Sequence, residues 1–254
     1  MFTRVVVLST AALALAASAA LAADAPKRSA ERPAMIARYA SAPITIDGKL
    51  DEEAWRQAVV YTTSLSTEAA KAGPAMQEGG EVRLAWNEEF LYVAIQYQDS
   101  DLVAEGDRDQ LHHYLMGDLA EVFLKPAGNT WYWELYVTPR QHKTAFWFPG
   151  TGRMGLKSNE DYVMELLVAA QCQGTLNDWQ DRDTGWTAEM AIPVKELTRH
   201  GDPFGPGQTW TILVARYNYS RFLENRGPEL TMTPKLPMTS YHYHPGYAEL
   251  WLEK

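Results

Sequence analysis

The sequence predicts an all-β fold, an antiparallel β-sandwich of jelly-roll type carrying two short helices. Three observations predict it. Apolar residues recur mostly with period two, turn-forming residues separate the alternating runs, and helical periodicity is confined to two short stretches. The clearest strand is 90–98, where Leu91, Val93, Ile95 and Tyr97 share one face and Tyr92, Ala94, Gln96 and Gln98 the other. It follows 82–86 across Asn87-Glu88-Glu89, so the two read as a hairpin. Further alternating runs are 119–124, 131–138, 144–148, 162–168, 186–192, 209–216 and 247–252, enough for a sandwich or jelly roll. Helices are expected at 50–58, with Asp51 as cap, and at 193–199, where Pro193 suits a helix opening. Two long irregular stretches, 100–117 and 219–246, hold polar and aromatic residues, and long loops in compact domains carry function disproportionately.

The N-terminus has the order of a secretory signal: Arg4, an apolar run over 5–20, then Ala20-Leu21-Ala22-Ala23. Residues 1–22 are therefore expected to be cleaved, 23–33 to form a linker, and 34–254 to fold as one domain in a secreted or periplasmic location. A membrane anchor is the alternative reading of the same run, but it is Ala-rich and barely long enough to span. No second apolar segment of spanning length follows, so no membrane contact is expected after cleavage. The formal net charge of −9 argues against a nucleic-acid or anionic-membrane partner, either of which would require clustered Lys and Arg. Cys172 is the single cysteine, so the fold must hold without an intramolecular disulfide.

Several chemistries lack their minimum parts. No G-x-S-x-G, H-E-x-x-H, Walker loop or paired C-x-x-C occurs. Gly150-Thr151-Gly152-Arg153-Met154-Gly155 spells G-x-G-x-x-G but follows Pro149 and precedes polar residues, without the strand and helix that would aim amides at a pyrophosphate. His112-His113 and His242-Tyr243-His244 offer imidazoles, with no carboxylate or thiol at obvious ligand spacing. Asp99-Ser100-Asp101 with Asp107 and Asp109 offers oxygen ligands in a flexible loop, so Asp99, Asp101 and Asp107 are the candidate calcium ligands. Solvated loop acids are the competing reading. No other cofactor is required.

Ile44-Thr45-Ile46-Asp47-Gly48-Lys49-Leu50-Asp51-Glu52-Glu53-Ala54-Trp55 reads as an edge strand, an Asp-Gly turn and a short helix that drops a tryptophan into the core. It resembles the opening of family 9 carbohydrate-binding modules, which belong to the DOMON-like β-sandwiches. The similarity continues in order through Trp86-Asn87-Glu88-Glu89-Phe90-Leu91-Tyr92-Val93-Ala94, Gly117-Asp118-Leu119-Ala120-Glu121-Val122-Phe123-Leu124, Tyr132-Trp133-Glu134, Gly185-Trp186-Thr187-Ala188-Glu189-Met190-Ala191-Ile192-Pro193, Arg216-Tyr217-Asn218 and Tyr247-Ala248-Glu249-Leu250-Trp251-Leu252. The resemblance implies two antiparallel sheets and a non-catalytic module for glucose- or xylose-containing plant-type glycans, associated with a separate glycoside hydrolase in polysaccharide degradation. Some such modules hold structural calcium.

A pyranose ring needs aromatic plates for its C–H faces and planar polar groups for its hydroxyl rim. By resemblance, Glu121 stands at the family's binding carboxylate and Arg216 near a polar ligand-binding position, with Asn218 on the same strand face. Glu121 and Arg216 could instead pair with each other inside the sandwich. The family's first aromatic plate falls near Tyr114 and Leu115; the second falls at Thr231-Met232-Thr233, where no aromatic residue stands and Tyr241 or Tyr243 is the substitute. Trp55, Trp86, Trp186 and Trp210 read as core, whereas Trp131, Trp133 and Trp147 are candidates for a binding face, Trp133 foremost. Two other functions stay open. Some DOMON-like relatives hold haem b between axial side chains, for which Met116, Met154, Met232, Met238 and loop histidines stand available, and a hydrolase could use Glu121 with Glu189 or Glu134.

Overall fold

The computed structural model describes residues 32–150, 162–224 and 226–254. The expected signal segment and nearly all of the linker, the glycine-rich stretch after Gly150, and Met154 lie outside them. Twelve strands form among the described residues: β1 Ala34–Tyr39, β2 Val60–Thr62, β3 Gly80–Trp86, β4 Phe90–Gln98, β5 Leu119–Pro126, β6 Tyr132–Val137, β7 Lys143–Phe148, β8 Leu167–Gln173, β9 Gly185–Pro193, β10 Trp210–Asn218, β11 Glu229–Thr233 and β12 Ala248–Glu253. Three helices of one turn or slightly more accompany them: α1 Glu53–Gln57, α2 Ala69–Ala72 and α3 Val194–Leu197.

Local chemistry accounts for the best-predicted elements. The β3–β4 hairpin turns where Asn87 Oδ1 accepts the backbone N–H groups of Glu89 and Phe90 at 2.9 and 2.8 Å, a side-chain mimic of a backbone turn. Strand β4 runs over the predicted residues and pairs antiparallel with β3 and β9 along its length. The hydrogen-bonded order is β7-β6-β5-β10-β12-β1-β3-β4-β9-β8, with β11 beside β10 and β2 beside β3. One continuous sheet thus folds over at β12 and β1, and its two halves face each other across a shared core. Leu84, Val93 and Met190 from one half and Val122, Leu135 and Val214 from the other belong to one buried cluster.

The structure corrects the sequence reading at several places. Strand β1 pairs parallel with both β12 and β3, so the sheet is not purely antiparallel. The run at 162–168 alternates in burial, with Met164 and Leu166 buried, but pairing with β9 begins only at Leu167. Period two there reports packing against the core and not a ladder. Ile44 is buried without joining a strand. Elements β2, α2 and β11 were not foreseen because they are short or sit inside stretches rich in turn residues.

A carboxylate explains the Asp-Gly motif. Glu189 of β9, with no exposed surface, accepts from the backbone N–H groups of Asp47 and Gly48 at 2.9 and 2.8 Å and from Trp55 Nε1 at 2.8 Å. Gly48 has φ +81°, and a Cβ there would stand 2.7 Å from the Ala170 carbonyl carbon, so only glycine fits the turn. This one acid ties the turn and α1 to the outer face of β4 and β9, where Trp55, Tyr92 and Ala191 form their own cluster.

Candidate functional site

The outer face of the other half carries a cleft of about 210 Å³. Register builds its floor. Glu121 of β5 stands opposite Tyr136 of β6, and Phe123 opposite Glu134, so both carboxylates and both rings point the same way. On the other side Glu121 faces Ala215 of β10, a short neighbour, and Leu119 faces Tyr217, which brings a third ring to the same face. Glu121 and Glu134 are each 2 % exposed.

Two loops complete the walls. A 3-10 turn, His113–Leu115, presents Tyr114, whose ring centroid lies 5.8 Å from Tyr217 and 6.5 Å from Tyr136. Tyr219 holds that turn by donating its hydroxyl to the Tyr114 carbonyl at 2.6 Å. The segment after β11 lays Tyr241 and His242 over the floor. Tyr241 donates to the carbonyls of Arg216 at 2.9 Å and Thr231 at 3.2 Å, and its own carbonyl accepts from Tyr247 at 2.6 Å. Its ring is therefore a fixed wall beside Tyr217, 5.7 Å away. Tyr136 donates to Glu134 Oε1, and His242 Nε2 lies 3.9 Å from Glu134 Oε2. Burial raises the phenol pKa of Tyr217, with the charges of Glu121 and then Glu134 adding to it; for Tyr241, Glu121 adds likewise. Rings of several orientations beside two carboxylates can stack on C–H faces and accept from hydroxyl groups.

Of the residues singled out in the sequence, Glu121, Tyr114 and Tyr241 meet in this cleft. Arg216, Asn218 and Trp133 do not. Arg216 follows Ala215 on β10 and so faces the opposite side of the sheet, fully buried, which also removes the alternative of an Arg216–Glu121 pair. It donates to the Gln98 carbonyl at 2.7 Å, to Asp99 Oδ2 at 3.0 Å and to the Glu78 carbonyl at 3.3 Å, beneath the Tyr97 ring. Asn218 donates to Glu78 Oε2 at 2.7 Å. Trp133 is fully buried between the halves against Tyr162, because its neighbour Glu134 takes the cleft face. Trp131 is buried beside it, and Trp147 stacks on His200 at 4.3 Å. Glu134, named above only as a hydrolase's second acid, and His242, named only as an imidazole, line the cleft together with Tyr136 and Tyr217, which the sequence reading does not single out although alternation along 131–138 carries the signal for Tyr136.

The acids proposed for calcium do not fit one. Asp99 is committed to Arg216, Asp101 accepts the Arg221 backbone N–H at 2.9 Å, and Asp107 is exposed beside Arg108. Among the described residues no group of three or more His, Cys, Asp or Glu is arranged to hold a metal ion. The candidate haem ligands are scattered in exposure: Met232 is sealed in, and Met116 and Met238 stand at the surface.

A family model described as "Carbohydrate family 9 binding domain-like" matches residues 46–205, more than half of the chain. The chain belongs to that family. Family 9 modules are also among the solved structures it resembles. One from Caldicellulosiruptor kristjanssonii in complex with cellotriose is 14 % identical, with 86 % of this chain and 93 % of that one covered and a TM-score of 0.57. The same organism's family 9 module in complex with glucose is 13 % identical, covering 86 % and 95 %, at 0.58. A Bacteroides uniformis structure, provisionally described as a carbohydrate-binding protein, is 11 % identical, covering 87 % and 99 %, at 0.64. At these identities the likeness establishes the fold. A comparison with curated protein sequences gives no match.

Beside the cleft of this family 9 domain lies a pH-sensitive residue. His244 is 6 % exposed, packed on Tyr132 at 4.4 Å, and neither ring nitrogen has a hydrogen-bond partner. Burial, with Lys125 and His242 nearby, pushes its pKa down to about 4. The unfolded chain takes up a proton at the ordinary value of 6.5, so this residue withdraws stability as pH falls from 6.5 towards 4. Thermal melts at pH 7 and pH 4.5 are expected to show a drop that is smaller by roughly 3–6 °C in His244→Leu than in the parent. An equal drop in both proteins would show that the imidazole is solvated.

Proposed function

We propose that this domain is an exported, non-catalytic carbohydrate-binding module of the DOMON-like sandwich type, which seats a neutral sugar ring of a plant-type glycan in the Glu121 cleft. In this reading it works beside a separate glycoside hydrolase during polysaccharide degradation. The observation that carries it is a buried carboxylate, Glu121, set among Tyr114, Tyr136 and Tyr217 on an open face. Rings take the C–H face and the acid accepts from hydroxyls, a charge-assisted bond stronger than a neutral one. Family membership and solved relatives holding cellotriose and glucose support the ligand class. The cleft has room for a terminal ring and little more.

Calorimetry with glucose, cellotriose and xylotriose tests the reading. Binding is expected for at least one of them, and Glu121→Gln should weaken it roughly 10–100-fold, the value of a hydrogen bond to a charged group. Tyr217→Ala should weaken it roughly tenfold, with the oligosaccharide recovered intact after incubation. Absence of binding across a broad glycan panel, or parental affinity in Glu121→Gln, would overturn it. For export, the mature chain recovered outside the cytoplasm should begin near Ala23.

A further inference from the structure

The half of the sheet facing away from this cleft carries a larger hollow, of about 600 Å³. Its floor is a row of side chains running across four strands, with Gln173 of β8 at the far edge. Strand pairing sets Thr62 of β2 opposite Glu81 of β3, Glu81 opposite Gln96 of β4, and Gln96 opposite Thr187 of β9. All four stand on the outer face, because their neighbours Tyr61, Val82, Ile95 and Trp186 pack into the core. Neighbouring members are about 4.8 Å apart, the distance between strands. That is close to the advance per residue along an extended β-1,4-linked glycan.

The row is polar and close to neutral. Its one acid, Glu81, is paired with Arg83 at 2.6 Å. Gln96 is exposed and makes no side-chain hydrogen bond within the described chain, and Gln98, one step along the strand face, uses only Oε1, which accepts from Gly79 N–H. Thr187 donates its hydroxyl to the Gly48 carbonyl at 2.6 Å, so towards a ligand it acts as an acceptor. Amides and hydroxyls at regular spacing match an uncharged chain with hydroxyls at every unit, whereas a charged polymer would meet no complementary charge. The hollow's end wall is held from inside the sandwich. Arg216 and Asn218 both bond to Glu78, and Glu229 accepts the backbone N–H groups of Gln77 and Glu78 at 2.8 and 3.1 Å. The buried polar cluster that faces away from the aromatic cleft therefore fixes the shape of this groove.

We infer that the outer face of β2, β3, β4, β9 and β8 is a second glycan-binding surface, which takes the run of an extended β-linked chain while the aromatic cleft takes a single ring. The ligand class rests on the carbohydrate reading above; the site is independent of it. With no aromatic plate on its floor, the groove gathers its affinity from hydrogen bonds repeated unit by unit, so it holds long chains and releases single sugars. The row spans three inter-strand steps, about 14 Å, which corresponds to about three sugar units.

Titration with cellohexaose and xylohexaose, with glucose as competitor, separates the two sites. The parent should bind two hexasaccharides per chain, one displaced by glucose and one not. Thr62→Ala combined with Gln96→Ala, neither of which removes a side-chain bond made in the fold, should melt as the parent does and lose the glucose-resistant site by at least tenfold. Glu121→Gln should lose the glucose-competed site and keep the other. A parent whose binding is wholly displaced by glucose, or a double variant that titrates as the parent does, overturns the second surface. Retention of glucose by Glu121→Gln overturns the cleft and leaves the groove standing.

Discussion

Arg216→Ala is expected to cost the domain about 3–5 kcal/mol in denaturant unfolding, the usual loss when one member of a buried ion pair is removed. The guanidinium has no exposed surface and satisfies Asp99, two backbone carbonyls and the face of Tyr97, 4.6 Å from the ring centre. Its removal leaves Asp99, 1 % exposed, as a buried carboxylate without its cation. Burial already raises the Asp99 pKa, with Arg216 pulling the other way. Asp118, buried close by, is raised by burial and then by the Asp99 charge. Adding Asp99→Asn to Arg216→Ala should therefore recover part of the loss, a coupling that a double-mutant cycle measures. A loss below about 1 kcal/mol would mean that water reaches Asp99.

The same residue shows where sequence reasoning stops. Similarity in order along the chain locates Glu121 and Tyr114, Tyr241 stands as a substitute for a second plate that similarity places at Thr231-Met232-Thr233, and all three residues meet in one cleft. Similarity could not fix which face Arg216 takes, because that depends on register. Glu121 faces Ala215, so Arg216, one residue on, points into the sandwich. Trp133 was misassigned by the same single step, since Glu134 faces Phe123 on the cleft side. The hairpin at Asn87 and strand β4 were legible because their determinants are local: an Asx turn and strict alternation. The cross-strand row from Thr62 to Thr187 is not local. Its members come from four strands spread over more than a hundred positions, and only the pairing aligns them.

Glu189→Ala is expected to be the second most damaging change, costing about 3 kcal/mol through three donors left without an acceptor. Those donors are Trp55 Nε1 and the backbone N–H groups of Asp47 and Gly48, so the loss should release α1 and expose Trp55, visible as a red shift in tryptophan emission. The effect should depend on pH in a direction opposite to that of His244. Burial pushes the Glu189 pKa up to about 7, from an ordinary 4.5, against the pull of its donors. The folded chain then holds the proton more tightly than the unfolded one, so this group's contribution is full below pH 4.5 and declines as pH rises through 7. The stability gap between parent and Glu189→Ala should accordingly be wider at pH 5 than at pH 8. A gap that widens with rising pH would show that the three donors outweigh burial and hold the carboxylate ionised throughout.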